Sequence, residues 1–117
     1  MQNIRSLKQG DIIWLDHNPQ AGREQAGRRP ALIVSLTDFL RDTSGLAVIC
    51  PITNTDNGYP LHIKLPDNCG TTGYVMCEQL KCLDLTIRNV EYKGNITDEE
   101  SLQTVLDVVR GLLARDS

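Results

Sequence analysis

Pro30-Ala31-Leu32-Ile33-Val34-Ser35 is an apolar, β-branched run with no polar interruption, the pattern of a strand buried on both faces. Such a strand needs covering layers above and below it, so its neighbours must supply them. Upstream, Gly10-Asp11 introduces Ile12-Ile13-Trp14-Leu15-Asp16, a second short strand, and His17 to Arg29 reads as the loop between the two. Downstream, 37–41 has room for one helical turn, and Leu46-Ala47-Val48-Ile49-Cys50-Pro51-Ile52-Thr53 reads as a third strand. Its Pro51 stands near the strand end, where a missing donor does least harm. Asn57-Gly58-Tyr59-Pro60 signals a turn, and Leu61-His62-Ile63-Lys64-Leu65 then alternates as a half-exposed strand should. Residues 74–83 and 89–96 read as two further extended segments.

The period changes at the C-terminal end. Thr97 with Glu100 three residues later has the form of a capping box, and Leu102, Val105, Leu106, Val109, Leu112 and Leu113 recur at three- and four-residue spacing. One amphipathic helix follows from that spacing. Five or six short strands with glycine and proline turns, closed by one helix, predict a mainly β fold with a C-terminal helix: a small, strongly curved barrel with the helix packed on it. A chain of 117 residues fits a single domain, 1–117, able to bury a core without metal or disulfide staples.

Composition narrows the function classes. The net charge of −3 argues against a general nucleic-acid binder, so any contact with nucleic acid has to be local. Arg23, Arg28 and Arg29 fall close together while Asp98, Glu99 and Glu100 gather late, which allows a basic groove on an acidic body. The N-terminal residues lack the apolar core of a secretory signal, and no stretch is long and apolar enough for a membrane span. A cytoplasmic protein with no membrane association is expected. Cys50, Cys69, Cys77 and Cys82 are then expected as reduced thiols, three of them inside apolar strand-like runs. Without a C-x-x-C pair, and with His17 and His62 far from these cysteines in sequence, neither a metal site nor a cofactor is expected.

Gly22-Arg23-Glu24-Gln25-Ala26-Gly27-Arg28-Arg29-Pro30 allows two readings. Guanidinium groups donate paired hydrogen bonds to phosphate oxygens, and glycines let the main chain come close, so the segment can grip a phosphate backbone. A glycine-rich, charged segment between two strands is also the ordinary composition of a solvated loop.

A wider set of residues separates them. Gly10-Asp11-Ile12-Ile13-Trp14-Leu15-Asp16, Asn18-Pro19, Gly22, Glu24-Gln25-Ala26-Gly27-Arg28-Arg29-Pro30-Ala31-Leu32, Pro51-Ile52-Thr53, Gly58-Tyr59-Pro60 and Glu78-Gln79, in that order, resemble the MazF/PemK toxins of bacterial toxin-antitoxin modules. The resemblance spans nearly the whole chain and implies an SH3-like barrel of the CcdB/MazF type that forms a homodimer. It also implies sequence-specific, metal-independent cleavage of single-stranded RNA (mRNA) by 2′-hydroxyl attack, with arrest of translation and growth. A MazE-like antitoxin, small and acidic, is the implied partner.

Residue by residue, the resemblance assigns Arg29 and Thr53 as the catalytic arginine and threonine. Glu24 and Gln25 match loop positions near bound RNA, and Gln79 matches a strand residue that contacts it. Arg23, Arg28, Lys81 and His17 complete the expected RNA-binding set, His17 standing where some relatives carry an aromatic side chain. Arginine is a poor base, so the acceptor of the 2′-hydroxyl proton stays open between Glu24 and His17. The PemK-like branch places an arginine two residues before an acidic one, where this chain has Met76 and Glu78, and that departure favours the Arg29 and Thr53 pair. A second function class stays open as well: a related family uses the same barrel to trap DNA gyrase, without catalysis.

Overall fold

The computed structural model describes residues 3–17 and 27–117. Seven strands and two α-helices follow one another as β1 (Asp11–Asp16), β2 (Arg28–Ile33), α1 (Thr37–Asp42), β3 (Leu46–Thr53), β4 (His62–Lys64), β5 (Tyr74–Met76), β6 (Lys81–Asp84), β7 (Glu91–Asn95) and α2 (Glu99–Leu112). Short 3₁₀ turns at Ile4–Ser6, Cys77–Gln79 and Leu85–Ile87 complete the set.

All pairings are antiparallel, in the order β4-β5-β3-β2-β1-β7. β3 is the pivot. Its first half pairs with β6 through Leu46↔Asp84 to Ile49↔Lys81, and its end pairs on with β5 through Ile52↔Val75 and Thr53↔Tyr74. One long strand thus serves two short partners on the same edge, which bends the sheet round on itself.

The central strands are buried on both faces, as the run from Pro30 requires. Ile12, Leu32, Cys50 and Ile52 enter one core with Val105 and Val109 of α2, while Ile13, Leu15, Ala31, Ile33 and Ile49 enter a second core beneath Leu7, Leu40 and Leu85. Period-2 alternation sends successive residues of each strand to opposite cores. The mainly β class with a packed C-terminal helix is therefore as expected.

Three local readings need correction. The second strand begins at Arg28, before the proline, so Arg28 and Arg29 stand on a strand end opposite Asp16 and Leu15. Residues 74–83 are not one extended segment: the 3₁₀ turn Cys77–Gln79 separates β5 from β6. The helix cap is Asp98, not Thr97: the Asp98 carboxylate accepts from the Glu100 N–H at 3.3 Å and from the Ser101 hydroxyl at 2.6 Å. All four cysteines are free thiols; Cys50, Cys69 and Cys77 are buried and Cys82 is exposed.

Candidate active site and RNA interface

β2 and β3 pair through Ile33↔Ile49, Leu32↔Cys50 and Ala31↔Pro51. Two residues further along each strand, the same register brings Arg29 level with Thr53. Both line one cleft of about 350 Å³, whose walls include Trp14, Asn54 and Thr71. Trp14 is half-buried and contributes to this wall, with the Lys93 ammonium 5.9 Å from its ring centroid.

The Thr53 hydroxyl oxygen accepts a hydrogen bond from the Thr55 N–H at 3.2 Å. Its own hydrogen stays available to a second acceptor, and β-branching restricts the direction in which it points. Arg29 is exposed and, among the described residues, has no ion-pair partner. An unpaired guanidinium beside an oriented hydroxyl offers two kinds of donor to an anion.

Arg28, one residue earlier, lines the same cleft, but its guanidinium is already engaged. Its guanidinium donates to the Asn89 carbonyl at 2.6 Å and pairs with Asp16 and Glu91, each at 3.4 Å. It fastens the ends of β1, β2 and β7, and its charge is already answered by two carboxylates.

His17 follows β1 directly. Burial first, then the nearby charges of Lys81, Arg29 and Arg88, hold its pKa down to about 4, against the opposing pull of a hydrogen bond to the Arg29 backbone. Its own carbonyl, with that of Asp16, accepts from the Arg88 guanidinium. Lys81 is exposed at the start of β6, and Gln79 is exposed on the 3₁₀ turn before it, 3.4 Å from the Glu78 carboxylate. Arg29, Lys81 and His17 thus share one basic rim.

Arg23, Glu24 and Gln25 lie outside the described residues, as do Asn18, Pro19 and Gly22. Two features escaped the sequence reading. The His62 Nε2 lies 2.9 Å from the Glu78 carboxylate and ties β4 to the 3₁₀ turn that carries Gln79. Burial would push Glu78 up, but its hydrogen bonds, that to His62 foremost, leave the carboxyl below its ordinary range. Tyr74 is paired across the sheet with Thr53 on one side and Lys64 on the other, and a hydrogen bond to Asp56 pushes its phenol up. No motif marks either contact, because each joins residues from separate strands or turns. Among the described residues no three His, Cys, Asp or Glu side chains converge as a metal ion would require.

Comparison with known proteins gives a consistent result. Residues 8–113 match the family described as PemK-like, MazF-like toxin of type II toxin-antitoxin system. The endoribonuclease toxin MazF of Escherichia coli K12 is 34% identical over 91 residues, which cover 78% of this chain and 80% of that protein. The endoribonuclease PemK of Escherichia coli is 33% identical over 115 residues, covering 92% of this chain and 80% of PemK. A crystal structure of MazE-MazF from Deinococcus radiodurans superposes with a TM-score of 0.83 at 32% identity, over 98% of this chain and all of that one.

Proposed function

The chain belongs to the family of PemK-like, MazF-like toxins of type II toxin-antitoxin systems, and from that membership we propose that it is a sequence-specific, metal-independent endoribonuclease acting on single-stranded RNA. The observation that carries this reading is Arg29 level with Thr53 at one cleft, the first unpaired among the described residues and the second with its hydroxyl hydrogen available.

Cleavage without metal uses the ribose 2′-hydroxyl as internal nucleophile. The P–O2′ bond forms as the P–O5′ bond breaks, leaving a 2′,3′-cyclic phosphate and a 5′-hydroxyl. The demanding moment is the crowded phosphorane, whose extra negative charge has to be met by donors already in position. Arg29 supplies charge and paired N–H groups, and Thr53 donates to a nonbridging oxygen. Arg23, Gln25, Arg28, Gln79 and Lys81 are assigned to hold flanking nucleotides, and the proton acceptor is Glu24 or His17, the latter beside Arg29 and Lys81. The chain acts as a homodimer and is held inactive by an acidic, MazE-like antitoxin that competes for the basic rim. The relatives named endoribonuclease support an enzyme, which leaves the non-catalytic gyrase trap without a supporting observation.

Kinetics on a purified single-stranded RNA test the reading. Arg29→Ala is expected to lower kcat by about 10²–10³-fold, the usual cost of losing one preorganised donor to a developing anion. Cleavage by Arg29→Ala at the wild-type rate would refute the assignment.

A further inference from the structure

We propose that His17 is the catalytic base, its bare Nε2 taking the proton from the attacking 2′-hydroxyl. The assignment rests on the endoribonuclease reading and adds the proton acceptor that Arg29 and Thr53 leave missing. Arginine is protonated at every working pH, and a threonine hydroxyl is no base.

Two geometric observations fix which nitrogen is free. The ring makes a hydrogen bond to the Arg29 backbone, and Nε2 has no partner among the described residues. The bonded nitrogen is therefore Nδ1. It carries the hydrogen that the Arg29 carbonyl accepts, which leaves the Nε2 lone pair bare. A histidine whose tautomer is set by a backbone carbonyl has the arrangement of an oriented general base. Arg29 then has two tasks: its carbonyl aims the imidazole and its guanidinium meets the phosphorane. Arg88 steadies the arrangement by clamping the carbonyls of Asp16 and His17, so the imidazole's own backbone is held at the end of β1.

The charged groups facing the ring are Lys81 of β6, Arg29 of β2 and Arg88 after the 3₁₀ turn Leu85–Ile87. Among the described residues no carboxylate is one of them. In the free protein these cations and burial keep the imidazole neutral at pH 7, so it is in the form that accepts a proton. Nε2 is screened from bulk solvent in the free protein. Lys81 is exposed and unpaired among the described residues, and it can turn from the ring onto an incoming phosphate. A bound phosphate sets a negative group against the three cations, which raises the basicity of the imidazole once RNA is bound. In the step itself the 2′-O–H bond breaks, its proton passes to Nε2, the P–O2′ bond forms and the P–O5′ bond breaks. The departing 5′-oxygen takes a proton from solvent, to which His17 afterwards returns its own.

The test is the pH–rate profile of wild type and His17→Gln on one RNA, with folding followed by circular dichroism. Wild type is expected to show an acid limb in kcat/KM near pH 4 and a limb at higher pH in kcat, because the first reports the free protein and the second the RNA complex. His17→Gln is expected to lose about 10²-fold or more in kcat, together with the acid limb. A variant that keeps its rate, or loses rate while keeping the limb, overturns the assignment. If His17→Gln fails to fold, the histidine C–H resonances of wild type are titrated with and without an RNA carrying 2′-deoxyribose at the cleaved position. A pKa near 4 that rises on binding supports the inference, and an unmoved value overturns it. Wild type that cuts no RNA at all removes the endoribonuclease reading itself, an outcome distinct from failure of the His17 variant alone.

Discussion

In the proposed reaction Arg29 and Thr53 make different contributions, and the losses in their variants should differ in size. A guanidinium supplies full charge at the phosphorane, whereas a hydroxyl supplies one hydrogen bond. A hydrogen bond to a charged group contributes about 1.5–3 kcal/mol, so Thr53→Val should lower kcat by about 10- to 10²-fold, less than Arg29→Ala. Steady-state kinetics on one RNA substrate compare the two, and a larger loss in Thr53→Val would invert the roles. Titrating groups give a second prediction at this scale. His17 sits at about 4 in the folded chain against 6.5 ordinarily, and Glu78 sits below its ordinary 4.5. Each folded value is depressed, so each contributes stability that is present above its unfolded pKa and lost as pH falls through the folded one. Melting temperature should therefore begin to drop below pH 6.5, with a further fall below pH 4.5. His62→Ala, which removes the partner of Glu78, should flatten the lower part alone; unchanged acid sensitivity would show that the pair does not stabilise the fold.

Elements were legible where a single period ran through them and hidden where distant contacts broke one. β3 was read with its exact limits because an unbroken apolar run ends at a polar turn. The 3₁₀ turn Cys77–Gln79 was missed because Val75 and Cys77 keep the buried alternation of a strand, while the bend depends on His62 holding Glu78 from across β4. Arg29 and Thr53 are singled out by a family motif, since nothing in composition separates Arg29 from Arg28; among the described residues Asp16 and Glu91 pair with Arg28 and not with Arg29. The depressed histidine was not legible either, since burial in the fold and then Lys81 and Arg88, far along the chain, set it. Two element-scale outcomes follow. Asp98→Ala should cost about 1 kcal/mol in a thermal melt and Thr97→Ala much less, because only the Asp98 side chain caps α2. Gly94→Ala should cost about 1–3 kcal/mol, since a methyl group there runs into the Cys69 carbonyl where the loop after β4 crosses β7. A melt of Gly94→Ala that matches wild type would mean the crossing is looser than the structure has it.

The whole molecule carries a net charge of −3, yet two of its exposed cations, Arg29 and Lys81, lie together beside half-buried His17. With a net negative charge, RNA binding by the proposed enzyme should be local and should weaken as salt screens the few contacts made. An acidic antitoxin would compete for the same place, which ties inhibition to the chemistry of the site. The central claim, metal-free cutting of RNA by Arg29, is tested most directly by sequencing the 5′ ends of fragments from a mixed RNA digested with wild type or Arg29→Ala, with and without a chelator. The account predicts 5′-hydroxyl ends at one short recurring sequence, undiminished by chelator and absent from the Arg29→Ala digest. Fragments that vanish with chelator and return with magnesium, or that persist undiminished in Arg29→Ala, would contradict it.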